Sequence, residues 1–138
     1  MQQFLSKPYE TQLEPEELVT QVVLPIPSYD YEGDFYKLGR RRGVVISRIT
    51  LALLLKIESM KIQDIRIASG AVTPIGLRFQ ELEEFARGKN INDDLFKILA
   101  QKLGQSILHK TGLRWSSAYK LPVVQQMFYQ LLRQFINN

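Results

Sequence analysis

The sequence predicts an α+β fold in which an antiparallel sheet of three to four strands packs against about three helices. The first half holds β-branched runs broken by turn residues, whereas the second half carries apolar residues at helical spacing. Strands followed by helices are typical of an α+β domain. The length of 138 residues and the 45% hydrophobic content fit one domain, 1–138. Within it we predict an extended lead-in (1–16), a strand-rich half (17–72) and a helical half (78–138).

The strand-rich half opens with β-branched residues that predict a strand over 17–25, ended by a proline. Two prolines, the one that ends the strand included, with an Asp and a Gly predict a loop over 25–34, after which 35–40 is extended. The run "VVISRITLALLLKIES" (44–59) fits either a helix or a strand, because its apolar spacing suits both. We favour a strand, since "IESMKIQDIRIASGAV" (57–72) predicts a second strand after a tight turn.

The helical half contains three segments with helical signals. The predicted helices cover 79–90, 92–109 and 121–138. Gly88 is placed as a C-terminal stop, and Asn92 is a candidate N-cap. A loop is expected over 110–120, and Pro122 suits the first turn of the last helix.

The composition excludes several kinds of site. The chain has no cysteine and a single histidine, so disulfides, zinc–thiolate sites and cysteine-bound iron–sulfur clusters are excluded within it. Acid pairs at 83–84 and 93–94 suit a solvated helix face and a helix N-terminus, and no phosphate-binding glycine loop occurs. We therefore predict no catalytic residue and no metal site. No apolar run is long enough for a membrane span and no secretory signal is recognisable, so we expect a cytoplasmic protein without membrane contact.

The segment "FYKLGRRRGVVISRIT" (35–50) concentrates positive charge beside an apolar run. Lys37 is followed by Arg40, Arg41 and Arg42, and the net charge of the chain is +4. Extended backbone would place Lys37 and Arg41 on one face, where an anion meets both. Two interpretations stay open: an anion-binding site, or a solvated strand end whose charge blocks edge pairing.

Four stretches in order cover nearly the whole chain and carry a resemblance to a known family. They are "TQLEPEELVTQVVLPIP" (11–27), "FYKLGRRRGVVISRITLAL" (35–53), "IQDIRIASGAVTPIGLRFQELEEFARGK" (62–89) and "GLRWSSAYKLPVVQQMFYQLL" (112–132). Together they resemble the C-terminal domain of the flavoprotein subunit of molybdenum hydroxylases. That family includes the FAD subunits of xanthine dehydrogenase and carbon monoxide dehydrogenase.

The resemblance implies an accessory domain that forms one wall of a FAD site and an assembly surface. It implies flavin-facing positions at Lys37, Val44 and Val45, to which the charge argument adds Arg41 as a cofactor-binding residue. The implied partners are an N-terminal FAD-binding domain or chain, a molybdenum-cofactor subunit and an iron–sulfur subunit. Because the family's glycine-rich FAD loops belong to the preceding domain, we expect this chain alone to bind FAD weakly or not at all. It would be part of a FAD-dependent oxidoreductase and inactive by itself.

Two other classes of function remain as alternatives. One is an interaction module that joins subunits without touching flavin. The other is a nucleic-acid-binding domain in which Phe35 and Tyr36 stack on bases beside the arginine run. The acids within 10–34 and the lack of a wider basic stripe argue against nucleic acid.

Overall fold

A computed structural model describes residues 4–26, 30–41 and 44–136 of the chain. The strands are β1 (Leu5–Lys7), β2 (Glu10–Thr11), β3 (Glu32–Leu38), β4 (Ile49–Glu58), β5 (Lys61–Gly70) and β6 (Leu77–Arg78). The helices are α1 (Gln80–Ala86), α2 (Asp93–Thr111) and α3 (Ser117–Arg133). The predicted α+β class is confirmed, with β3 to β6 forming a four-stranded antiparallel sheet in sequence order.

The centre of the sheet is the hairpin of β4 and β5. Ser59 and Met60 join these strands, and both have positive φ, 50° and 60°, as the tight turns of two-residue hairpins require. The prediction of a strand rather than a helix within 44–59 is confirmed, although β4 begins only at Ile49. β1 and β2 form a separate two-stranded ribbon that the sequence did not predict.

One face of the sheet supplies the core. Alternate residues of β4 and β5 are buried on this face: Ile49, Leu51, Leu53, Leu55, Ile65 and Ile67. They form one cluster with buried residues of the helices, among them Phe96, Leu99, Leu103, Phe128 and Leu131. α2 and α3 contact each other, α1 contacts β5 and α3 contacts β4. The alternate apolar residues of the strands and the apolar stripes of the helices therefore pack together in one core layer between the sheet and the helices.

The opposite face of the sheet, called here the open face, is built from small residues. The register aligns Phe35 with Ala52 and Ala68 across three strands, and Lys37 with Thr50 and then Gly70. A shallow cavity of about 650 Å³ lies on this face, and Leu5 of β1 contributes to its lining. Because small side chains leave the backbone near the surface, a bulky group can approach the sheet closely here.

The predicted strand at 17–25 is wrong, because residues 17–26 belong to no strand. β-Branched residues favour a strand only where a neighbouring strand satisfies the backbone groups, and this segment has none within the described part of the chain. β3 differs from its predicted bounds in the same region, beginning at Glu32 inside the expected loop and ending at Leu38.

The helix ends are partly as predicted. The Asn92 cap is confirmed, since its Oδ1 accepts a hydrogen bond from Leu95 N at 2.8 Å. α3 begins at Ser117 rather than within 121–138, so Pro122 lies inside the helix instead of in its first turn. The polar residues before Pro122 resemble a loop, yet Lys120 N already donates to Ser116 O at 2.8 Å and extends the helix backwards.

The prediction that Glu83 lies on the outer face of its helix is wrong. The side chain is 3% exposed and accepts hydrogen bonds from Ile67 N at 2.8 Å and from the Arg78 guanidinium at 2.7 to 3.0 Å. Arg78 belongs to the short edge strand β6, which brings its charge beside the first turns of α1. The N–H of Ile67 and two N–H groups of Arg78 point at the Glu83 carboxylate. These hydrogen bonds and the ion pair replace the water that a carboxylate loses on burial. Glu84 is exposed, as expected.

Asp64 links β5 to two other parts of the chain. Its carboxylate accepts hydrogen bonds from Tyr31 Oη at 2.7 Å, Arg66 Nε at 3.2 Å and Arg87 at 2.9 Å. Partial burial by itself would raise the pKa of Asp64, but these donors outweigh it and lower the pKa from 3.8 to about 2.

Within the described residues, no helix combines the length and the apolar character that a membrane span requires.

Candidate functional site

The first wall of the candidate site is formed by described residues of the connection between β3 and β4. Arg48 N donates to Leu38 O at 2.7 Å, which closes the base of the connection. A Cβ added at Gly39 would lie 2.2 Å from Val45 Cγ1, so a larger residue there would force Val45 to move. Val45 therefore packs on the backbone of Gly39, while Val44 and Ile46 remain 96% and 90% exposed.

The connection between α2 and α3 forms a second wall. Gly112 ends α2 with φ of 65°, a conformation that favours glycine. Arg114 N donates to Ser117 Oγ at 2.9 Å, and Ser117 N donates to Arg114 O at 2.9 Å. This tight turn leaves the side chain of Trp115, the only tryptophan of the chain, 89% exposed.

A cleft of about 860 Å³ lies between the two walls, and we call it the cationic cleft. Its lining comprises four cations, four apolar side chains and two serines: Arg40, Arg41, Arg48, Lys120, Val44, Val45, Ile46, Trp115, Ser47 and Ser116. Guanidinium groups suit paired hydrogen bonds to phosphate or carboxylate, and the exposed indole offers a flat surface. The cleft therefore suits an anion that carries a planar group.

The positive charge of the cleft is not neutralised by the described residues around it. No salt bridge within the described residues involves Arg40, Arg41, Arg48 or Lys120. Lys120 Nζ donates to Ala71 O at 2.7 Å. Partial burial and then the nearby charges of Arg48 and Arg114 lower the pKa of Lys120. A bound anion would relieve this repulsion and return the pKa of Lys120 towards its ordinary range.

Three of the four predicted site residues meet in this cleft. Arg41, Val44 and Val45 line it, whereas Lys37 lies on the open face of the sheet, paired in register with Thr50. The expectation that Lys37 and Arg41 share one strand face is wrong, because β3 ends at Leu38 and Arg41 belongs to the connection. The fourth basic residue of the run, Arg42, lies outside the described residues.

The sequence reasoning missed the second wall. The sequence predicts a loop at Trp115 and Lys120, which belong to this wall, and a strand at Arg48, which belongs to the first wall. A single tryptophan inside a polar stretch, "LRWSSAYK", was the available signal, because an aromatic residue in a solvated loop often marks a binding surface.

The chain is similar to a known protein family in sequence and in fold. The family model described as the CO dehydrogenase flavoprotein C-terminal domain matches residues 34–135. This match includes both walls of the cationic cleft and leaves residues 4–26 outside it.

Two curated proteins are similar to nearly the whole chain. The chain is 32% identical to the glyceraldehyde dehydrogenase medium chain of Sulfolobus acidocaldarius, covering 95% of this chain and 46% of the relative. It is 21% identical to the putative xanthine dehydrogenase FAD-binding subunit XdhB of Escherichia coli, covering 96% of this chain and 46% of the relative. The chain thus spans about half the length of these relatives.

A solved structure shares the fold. Carbon monoxide dehydrogenase from Hydrogenophaga pseudoflava, in a form lacking the Mo-pyranopterin moiety of the molybdenum cofactor, superimposes with a TM-score of 0.82 at 22% identity. The superposition covers 95% of this chain and 45% of that chain.

Proposed function

Because the chain belongs to the CO dehydrogenase flavoprotein C-terminal domain family, we propose that it is the flavin-proximal accessory domain of a FAD subunit. The parent enzyme is a molybdenum-hydroxylase-type oxidoreductase, similar to xanthine dehydrogenase. The domain forms one wall of the FAD site and offers an assembly surface. Its partners are an FAD-binding domain, an iron–sulfur subunit and a molybdenum-cofactor subunit.

The observation that supports this proposal is the cationic cleft. Its four cations, which form no salt bridge among the described residues, and its apolar rim with Trp115 match the chemistry of FAD, which combines a charged pyrophosphate with flat ring systems. Bound FAD supplies the electron-transfer chemistry. The residues of this chain bind and orient: Arg40, Arg41 and Arg48 hold negative charge, and Val44 and Val45 exclude water from the rim.

Lys120 and Lys37 have separate parts in this proposal. Lys120 Nζ is held by a hydrogen bond to the carbonyl oxygen of Ala71 and adds positive charge to the lining of the cleft. Lys37 is exposed on the neighbouring open face, where its flexible stem carries a mobile charge. It is a candidate contact for the same cofactor from the sheet side.

The open form of the cleft explains why the chain should not hold FAD by itself. Cofactor sites usually bury most of their ligand, and the walls described here enclose the cleft only in part. The remaining walls belong to the half of the relatives that this chain does not span. We therefore expect weak or no FAD binding by the isolated chain.

The test uses a chimera in which this chain replaces the matching part of the Sulfolobus acidocaldarius medium chain. FAD content after gel filtration is compared for the chimera and for Arg41→Gln and Lys37→Ala. Lys110→Gln is the control, since it also removes one charge but lies exposed in the last turn of α2. We expect the first two variants to lose FAD at least about tenfold more readily, as loss of a charge-assisted hydrogen bond predicts.

The same chimera distinguishes the alternatives. Equal FAD retention in Arg41→Gln, Lys37→Ala and Lys110→Gln contradicts flavin contact and favours a pure interaction module. Salt-dependent retention of oligonucleotides by the isolated chain, lost in Arg41→Gln, would favour nucleic-acid binding instead. In the isolated chain, emission of Trp115 reports on the cleft directly, because this chain has no other tryptophan.

A further inference from the structure

Among the described residues, a run of exposed apolar side chains lies outside the cationic cleft, in residues 17–26, here called the apolar segment. Leu18, Val22, Leu24 and Ile26 expose 83%, 67%, 78% and 94% of their surface. Single exposed apolar residues are ordinary, but four within nine positions form a surface that water disfavours.

Within the described residues, the only backbone hydrogen bond of this segment is at its first residue, where Glu17 N donates to Glu14 O at 3.0 Å. Among the backbone hydrogen bonds of the described residues, none involves residues 18–26. A row of free N–H and C=O groups in a β-branched sequence is a template for pairing with another strand.

The sequence of the segment has the alternation of a strand buried on one side. In an extended conformation Leu18, Thr20, Val22, Leu24 and Ile26 share one face. The other face mixes polar and apolar residues: Glu17, Val19, Gln21, Val23 and Pro25. A nearly continuous apolar face opposite a mixed one is the pattern of a strand that packs on a core.

In this structure the segment pairs with neither edge of the four-stranded sheet, although β3 is paired on one side only. The family model begins at residue 34, so the apolar segment precedes the domain proper. The similarity to the Sulfolobus relative nevertheless covers 95% of this chain, so that relative carries a corresponding segment. Because the matched family model describes a C-terminal domain and begins after the segment, we take the segment to lie towards the half of such subunits that this chain does not span.

We propose that the apolar segment adds as a strand to a sheet of the FAD-binding half, with Leu18, Val22, Leu24 and Ile26 in that half's core. This inference rests on the proposed function, because it takes the FAD-binding half as the occupant. It concerns assembly, however, and involves no residue of the cationic cleft.

The chimera described above allows a matched comparison. Val22→Asp and Val23→Asp change neighbouring valines of similar exposure, 67% and 79%, that lie on opposite faces of the predicted strand. Amide hydrogen exchange of residues 18–26 is expected to slow at least about 100-fold in the chimera relative to the isolated chain. Val22→Asp should abolish this protection, and Val23→Asp should retain most of it.

The isolated chain supplies an independent measurement. Because the segment is unpaired there, Val22→Asp and Val23→Asp should each leave its thermal midpoint unchanged within about 1 °C. A clear loss of stability in either variant shows that the segment packs on its own domain and overturns the proposal. A dimer in sedimentation that Val22→Asp dissociates assigns the segment to a second copy and also overturns it.

Failure of this inference can be told apart from failure of the proposed function. Fast exchange of residues 18–26 in a chimera that retains FAD overturns strand addition alone. If exchange of residues 18–26 is slow but Arg41→Gln leaves the FAD content of the chimera unchanged, only the proposed flavin contact is overturned. A chimera that fails to fold is rebuilt on the Escherichia coli FAD-binding subunit, and failure on both scaffolds contradicts the proposal.

Discussion

Replacing Glu83 by glutamine should cost far more stability than the same change at its neighbour Glu84. Glu83 is 3% exposed and receives hydrogen bonds from Arg78 and from the backbone N–H of Ile67. A glutamine keeps an oxygen for Ile67 N but turns an NH₂ group towards the donors of Arg78. The change therefore removes charge-assisted bonds and places donors against donors in a buried site.

The magnitude follows from these contacts. Charge-assisted hydrogen bonds contribute about 1.5–3 kcal/mol each, and Glu83→Gln removes the equivalent of two. Because Arg78 is 41% exposed and regains water, we expect a net loss of about 2–3 kcal/mol. Glu83→Ala also leaves the buried N–H of Ile67 without an acceptor, which brings the loss to about 3–4 kcal/mol.

Urea unfolding at neutral pH, followed by circular dichroism, measures these differences through the transition midpoint. Glu84→Gln is the control and should stay within about 0.5 kcal/mol of the parent, because Glu84 is exposed. A Glu83→Gln midpoint that coincides with that of Glu84→Gln would refute the reasoning. A double-mutant cycle with Arg78→Gln should give a coupling above about 1 kcal/mol.

Three further predictions concern Asp64, Gly39 and Asn92. Since folding lowers the pKa of Asp64 from 3.8 to about 2, its contribution of about 1–2 kcal/mol is complete above pH 4 and is lost as pH falls towards 2. Asp64→Asn should flatten that part of a stability–pH curve, and an unchanged curve would contradict the pairing. Gly39→Ala should destabilise the fold by about 1–3 kcal/mol, because the new Cβ meets Val45. Adding Val45→Ala removes that contact, so the double variant should regain most of the lost stability. Failure of the rescue would show that the backbone, not Val45, sets the requirement. Asn92→Ala should cost about 1 kcal/mol in urea unfolding, and Asn92→Asp should restore most of it; equal stability of Asn92→Ala and the parent would contradict the cap.

The sequence was informative wherever structure depends on neighbours along the chain. The alternation in β4, the Asn92 cap and the apolar stripes of α2 and α3 are local patterns, and each is found in the structure. The alternation and the stripes repeat with the period of their own element, and the cap bonds only three residues along the chain, so a single stretch of sequence contains each signal.

The errors arose where a residue depends on a distant partner. Glu83 has the sequence context of a solvated helix face, and its burial becomes visible only once β6 brings Arg78 beside it. The segment 17–25 has strand composition but no strand to pair with in this domain. The second wall of the cationic cleft was missed for the same reason, since Trp115 and Lys120 join Arg41 only through the packing of α3 near the sheet.

The cationic cleft and the apolar segment favour a partner protein for two different physical reasons, charge and exposed apolar surface. Partial burial, followed by the nearby charges of Arg48 and Arg114, lowers the pKa of Lys120. No salt bridge among the described residues involves the four cations that line the cleft, so an anionic ligand or acidic side chains of another chain would supply favourable counter-charge. The exposed Leu18, Val22, Leu24 and Ile26 impose a different demand, since only an apolar surface removes them from water. A free anion satisfies the first demand and not the second, and an apolar partner satisfies the second and not the first. A cofactor-bearing protein half meets both, which is why we favour it over an isolated ligand site or a bare docking surface.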